Sequence, residues 1–177
     1  MCFCLYLATA SEPPLIPNDG AQPGSGKICT SRWRIEHSLV IRDALRNKFT
    51  LPCITEVGSD LGCGCAFRNQ GPGDVSSTQP NHVSLVAFLA EHCGKESFVE
   101  LYGCWCEGEA RETEERHDIE LSELADEELY FWINAYYRVR MPGYNPAAGK
   151  AGSASRLEVE HHWSGLPEPG RSAATFL

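Results

Sequence analysis

Apolar positions along the chain follow two periodicities, and together they predict the elements of a small mixed domain. Cys2 to Thr9 is apolar on both faces, as a buried strand is, with Phe3, Leu5 and Leu7 pointing one way and Cys2, Cys4 and Tyr6 the other. Ser11 to Lys27 is broken by prolines and glycines and reads as a loop, followed by a short edge strand at Ile28 to Trp33. Ser38 to Lys48 has a helical repeat, with Ser38 as its cap and Val40, Ala44 and Leu45 toward the core. Pro52 then opens a strand over 53–57.

Gly58 to Asn81 reads as a long glycine-laced loop. Asn81 is placed to cap a helix over 82–93, whose inner face carries Leu85, Phe88, Leu89, His92 and Cys93 and which Gly94 ends. A strand over 98–106 follows, with Val99, Leu101, Gly103 and Trp105 on one face and Phe98, Tyr102, Cys104 and Cys106 on the other. Glu107 to Asp118 is an acidic linker, and Ser122 to Glu127 a short helix. The aromatic run over 129–141 is one strand, or a hairpin turning at Asn134-Ala135.

This order predicts an α/β or α+β fold, a single sheet with strands at about 2–9, 53–57, 98–106 and 129–141 and main helices at about 38–48 and 82–93. Right-handed crossovers would lay the helices on a central sheet, with the loop after strand 53–57 and the end of a parallel neighbour, strand 98–106, at one sheet edge. The domain is expected to occupy 1–141, and the Pro/Gly-rich segment 142–177 to be a flexible tail, with His161 and His162 its one feature of note.

Charge narrows the partners. A net charge of -9 supplies no basic field for nucleic acid and disfavours an anionic membrane surface. No apolar run is long enough to cross a bilayer. Ala8-Thr9-Ala10 mimics a signal cleavage site, yet the positive n-region is missing and the apolar run before it is short, so a cytoplasmic protein is expected.

Cysteine carries the candidate chemistry. Of the nine cysteines, six form Cys-x-Cys pairs: Cys2 and Cys4, Cys63 and Cys65, Cys104 and Cys106. In a reducing compartment close thiols serve as metal ligands or redox groups more often than as disulfides, and the odd total fits a closed disulfide set poorly. Zinc takes four such ligands in a tetrahedron. Cys63, Cys65, Cys104 and Cys106 are therefore the expected metal site, with Cys2 or Cys4 as substitutes if strand order brings them closer. The competing reading is that free cysteine packs as a small apolar residue, which suits Cys29, Cys53 and Cys93. It suits Cys63 and Cys65 least, since Gly62 and Gly64 interleave them in a polar loop. Thiol redox is a third reading, with Arg68 the only close cation.

Cys63-Gly64-Cys65-Ala66-Phe67 resembles the Cys-Gly-Cys-Gly-x-Ser-Phe signature of A-type iron–sulfur carriers, which place another cysteine roughly sixty residues upstream, about where Cys4 stands. The resemblance implies an iron–sulfur cluster; Ala66 replaces its second glycine, and its serine is absent. Met1 to Ala8, Gly62 to Phe67 and Val99 to Trp105 together resemble a family of small bacterial proteins of unassigned function, which implies a bacterial, soluble protein and no particular activity.

No catalytic constellation stands out. Gly24-Ser25-Gly26-Lys27 lacks the first glycine and the Ser or Thr of a phosphate-binding loop, and no Gly-x-Ser-x-Gly, His-Glu-x-x-His or dinucleotide fingerprint is present. A binding protein is expected rather than a hydrolase or transferase. As an alternative without metal, the aromatic run Tyr130 to Ile133 with Tyr136 and Tyr137 would make an interaction edge for a homodimer. The acidic cluster Glu112, Glu114, Glu115, His117 and Asp118 reads as a solvated loop.

Overall fold

In a computed structural model of the chain, the described residues are 2–20, 25–68, 75–126 and 129–142, with backbone alone at 75–79. They fall within one compact unit, Met1–Tyr144. The expected tail, with His161 and His162, lies outside the described residues except for Pro142.

Six strands form one sheet: β1 (Phe3–Thr9), β2 (Cys29–Ser31), β3 (Cys53–Gly58), β4 (Phe98–Trp105), β5 (Glu115–Glu120) and β6 (Ala135–Arg140), in the order β2-β3-β1-β4-β6-β5. The fold is α+β. All pairings are antiparallel except β5 with β6. β3 and β4 do run the same way, as expected, but β1 lies between them and they are not neighbours.

The alternation of β1 divides the core. Phe3, Leu5 and Leu7 pack with Val99, Leu101, Phe67 and the apolar side of α3 (Val75–Cys93). Cys4, Tyr6 and Ala8 pack with Tyr102, Cys104 and Tyr136 beneath α1 (Trp33–His37) and α2 (Leu39–Arg46). Each face of the sheet is thus roofed by helix, which explains why β1 is buried along its whole length. Ser38 caps α2 as its sequence suggests, its Oγ accepting from the Ile41 amide at 3.3 Å.

Several expectations are corrected. α3 begins at Val75, so Asn81 lies inside the helix and the preceding loop is shorter than its glycines suggest. Val40 is 73% exposed, because only Leu45 of α2 is fully buried. His92 is exposed too, its ring centred 4.9 Å from that of Phe88. The acidic linker contributes β5, a strand with no alternating apolar face, since it is the sheet's last strand and Glu115, Arg116, Asp118 and Glu120 face water. Those charges guard an exposed strand edge against pairing with another chain. The segment 121–125 is a 3-10 turn, and strand character in 129–141 starts only at Ala135, after a turn with Asn134 at φ +57°.

A candidate three-thiol metal centre

The loop after β3 is folded back by its own hydrogen bonds. The Ser59 amide and hydroxyl both donate to the Cys63 carbonyl at 2.9 Å, and the Gly62 amide donates to the Ser59 carbonyl at 2.8 Å. Gly62 turns there with φ +76°, a conformation that favours glycine. The 3-10 turn Gly64–Phe67 then lies directly on the start of β1. A Cβ on Gly64 would stand 2.9 Å from the Leu5 amide nitrogen and 3.0 Å from the Phe3 carbonyl oxygen, so only glycine permits this approach. Phe67 anchors the far end, fully buried, and the buried His82 donates from Nε2 to its carbonyl at 2.7 Å.

This fold-back brings three thiols together. The sulfurs of Cys2, Cys63 and Cys65 all lie within 4.8 Å of one another. With Zn–S near 2.3 Å, a tetrahedral edge between two sulfurs measures about 3.8 Å, so small side-chain rotations would bring the three sulfurs to the spacing that an ion needs. Cys65 Sγ accepts a hydrogen bond from the Phe3 amide at 3.2 Å, which fixes one ligand against the backbone of β1. Cys2 is exposed and the other two are half-buried. Burial, then the hydrogen bond with Cys65, pushes the Cys63 thiol up to about 12. Arg68 closes the turn, its guanidinium 5.3 Å from the ring centre of Phe3, 5.1 Å from Trp105 and 4.8 Å from Tyr130, whose hydroxyl it also contacts.

Cys104 and Cys106 stand elsewhere. Cys104 is the register partner of Cys4 and faces α1 and α2, whereas the Cys63–Cys65 turn covers the opposite face. Cys106 lies beside Cys4 on that second face, where Arg34 gathers a polar cluster that the sequence gives no sign of. Arg34 Nη1 donates to Cys4 Sγ at 2.7 Å and to Cys106 Sγ at 3.3 Å, and Nη2 to Glu109 Oε1 at 2.9 Å. Glu56 is 3.6 Å away, and the Tyr6 hydroxyl donates to Glu109 at 2.7 Å. Burial raises Glu56 above the usual carboxylate range, partly offset by Arg34, and burial likewise raises the Cys4 thiol. Among the described residues, Cys2, Cys63 and Cys65 are the one group of three or more cysteine, histidine or carboxylate side chains close enough to share an ion.

Within the aromatic run, Phe131, Tyr136 and Tyr137 are buried, Tyr130 and Ile133 are half-buried, and β6 sits between β4 and β5. Trp132 is its exposed member. No helix among the described residues is long and apolar enough to cross a membrane. Fold and cluster together define a small, cysteine-rich α+β domain with a three-cysteine group that could hold a metal ion. No protein-family model matches the chain, and neither a curated protein nor a solved structure does.

Proposed function

We propose that this chain is a non-catalytic, cytosolic thiolate protein that holds one zinc ion on Cys2, Cys63 and Cys65. The observation that carries the reading is the convergence of the three sulfurs within 4.8 Å from two separate stretches of sequence. Thiolates select zinc among the common divalent ions, and three protein ligands leave a fourth position for water or for a donor brought by another molecule. The exposure of Cys2 puts that position at the surface, which suits an ion that is exchanged rather than sealed in.

Metal analysis of protein purified without added metal tests this. One equivalent of zinc is expected in the parent and in Cys106→Ser, and loss of it in Cys63→Ser/Cys65→Ser. Equal traces in all three would end the proposal. The same three-thiol set also favours, as a second reading, the iron–sulfur cluster that the Cys63–Phe67 resemblance implies, with Cys2 rather than Cys4 as the upstream ligand. Anaerobic purification with iron and sulfide analysis separates the two, since zinc leaves the visible spectrum empty.

A further inference from the structure

We propose that the cleft between α1, α2 and the start of β3, far from the thiol cluster's face, binds a phosphate group carried on a small soluble molecule. The cleft is a cavity of about 290 Å³ lined by Arg32, Arg42 and Arg46, with Glu12, Glu36 and Cys53 completing its polar wall. Three guanidiniums thus line one cleft in a chain of net charge -9. Arg42 and Arg46 stand one turn apart on α2, a spacing at which like charges repel. The negative end of the helix offsets Arg46 in the last turn but does little for Arg42.

Donor accounting points the same way. Arg32 donates from Nη1 to Glu12 Oε1 at 2.9 Å, yet its Nε is buried without a hydrogen-bond partner. Arg42 Nε is also buried and unpaired by hydrogen bonding, its nearest carboxylate oxygen being Asp43 Oδ1 at 3.5 Å. Buried N–H groups left in this state call for an acceptor. The lining sets three arginines against Glu12 and Glu36, and Asp43 beside Arg42 balances the remaining charge, so the pull on an anion rests on the Arg32 and Arg42 Nε–H donors that lack a hydrogen-bond partner. A phosphate oxyanion supplies several acceptor oxygens in the geometry that forked guanidinium groups match, and its charge relieves the Arg42–Arg46 repulsion. The cavity has room beyond the phosphate for a small organic moiety, bounded by Ile35, Pro52 and Ile54.

Titration of ¹⁵N-labelled protein with inorganic phosphate, at constant ionic strength held with chloride, tests the site through the arginine Nε–Hε signals. Saturable shifts of the Arg32 and Arg42 signals are expected, with Arg116 on the distant strand β5 unmoved. Arg42→Gln and Arg46→Gln should each weaken phosphate binding by about tenfold, the worth of one charge-assisted hydrogen bond, while Arg116→Gln leaves it unchanged. Shifts that never saturate, or both α2 variants binding like the parent, would overturn the proposal. Sedimentation with phosphatidic acid vesicles checks the source: protein left in the supernatant supports a soluble ester, and protein carried down with the vesicles overturns that assignment in favour of a lipid headgroup.

Discussion

The amide of Phe3 donates to the sulfur of Cys65 at 3.2 Å, across the junction between the first strand of the sheet and the turn that follows β3. A backbone donor aimed at a sulfur holds it in place, so part of the candidate metal centre is built by the register of β1 rather than by side chains alone.

Gly64 makes that contact feasible, and its replacement should undo it. In Gly64→Ala the new methyl would press on the backbone of Leu5 and Phe3, neither of which can move without disturbing a central strand. The turn must lift, separating Cys65 and Cys63 from Cys2. The expected outcome is a stability loss of about 1–3 kcal/mol, as for other overpacked positions, together with loss of bound zinc. Urea denaturation and metal analysis read the two effects separately.

Metal affinity should climb with pH. The Cys63 thiol, pushed up to about 12 in the metal-free protein, is protonated throughout the neutral range. Zinc must displace that proton, and raising the pH makes the displacement easier. Chelator competition between pH 6 and 8 should therefore show affinity rising by at least about tenfold per unit. A flat profile would mean that Cys63 is not a ligand.

Cys63 and Cys65 are legible in the sequence because their glycines and polar surroundings do not suit buried packing. Cys104 and Cys106 share a face by strand alternation, and that inference holds; what alternation cannot reveal is that the turn after β3 folds over the other face. β1 lies between β3 and β4, an order set by long-range pairing, and it delivers Cys2 to the place expected for the β4 thiols. Elements with an apolar repeat, such as β1, β4 and the second half of α3, are readable for the same reason they are buried. β5 is not, because an edge strand that must stay soluble carries the composition of a loop.

Arg34 should prove necessary to the second face. Its loss in Arg34→Ala leaves Glu109, whose side chain is 3% exposed, without its cation, and removes the counter-charge near Glu56. Breaking such a pair from one side costs about 3–5 kcal/mol. The sign of the pH dependence follows from Glu56, which burial raises above its unfolded value while Arg34 lowers it. A raised carboxyl favours the native state below the unfolded pKa and loses that contribution as pH rises through the folded one. Without Arg34 the rise is larger, so the gap between variant and parent should widen from pH 4 to pH 7. Denaturation at both values tests it; a gap that narrows toward neutrality would show that Glu56 is not coupled to Arg34.

Glu100 should be the costliest carboxylate to remove on structural grounds alone. It is fully buried on β4, and every contact it makes is as an acceptor. The Thr50 amide and hydroxyl donate to it at 2.9 and 2.6 Å, the Leu51 amide at 2.9 Å and the Tyr136 hydroxyl at 2.6 Å. One carboxylate thereby ties the loop between α2 and β3 to the middle of the sheet. Glu100→Ala strands these donors in a space that the smaller side chain cannot fill, and a loss of about 3 kcal/mol or more is expected from donors left without partners. Tyr136→Phe removes a single donor and should cost nearer 1 kcal/mol. The denaturation midpoint should fall with the slope unchanged if the fold is otherwise kept. Amide exchange at Thr50 and Leu51 should accelerate in Glu100→Ala and stay slow in Tyr136→Phe, because only the first variant frees the loop. Equal midpoints for the two variants would show that the loop is held by its packing, with Phe49 against Tyr136, and that the carboxylate merely sits among donors that water satisfies equally well.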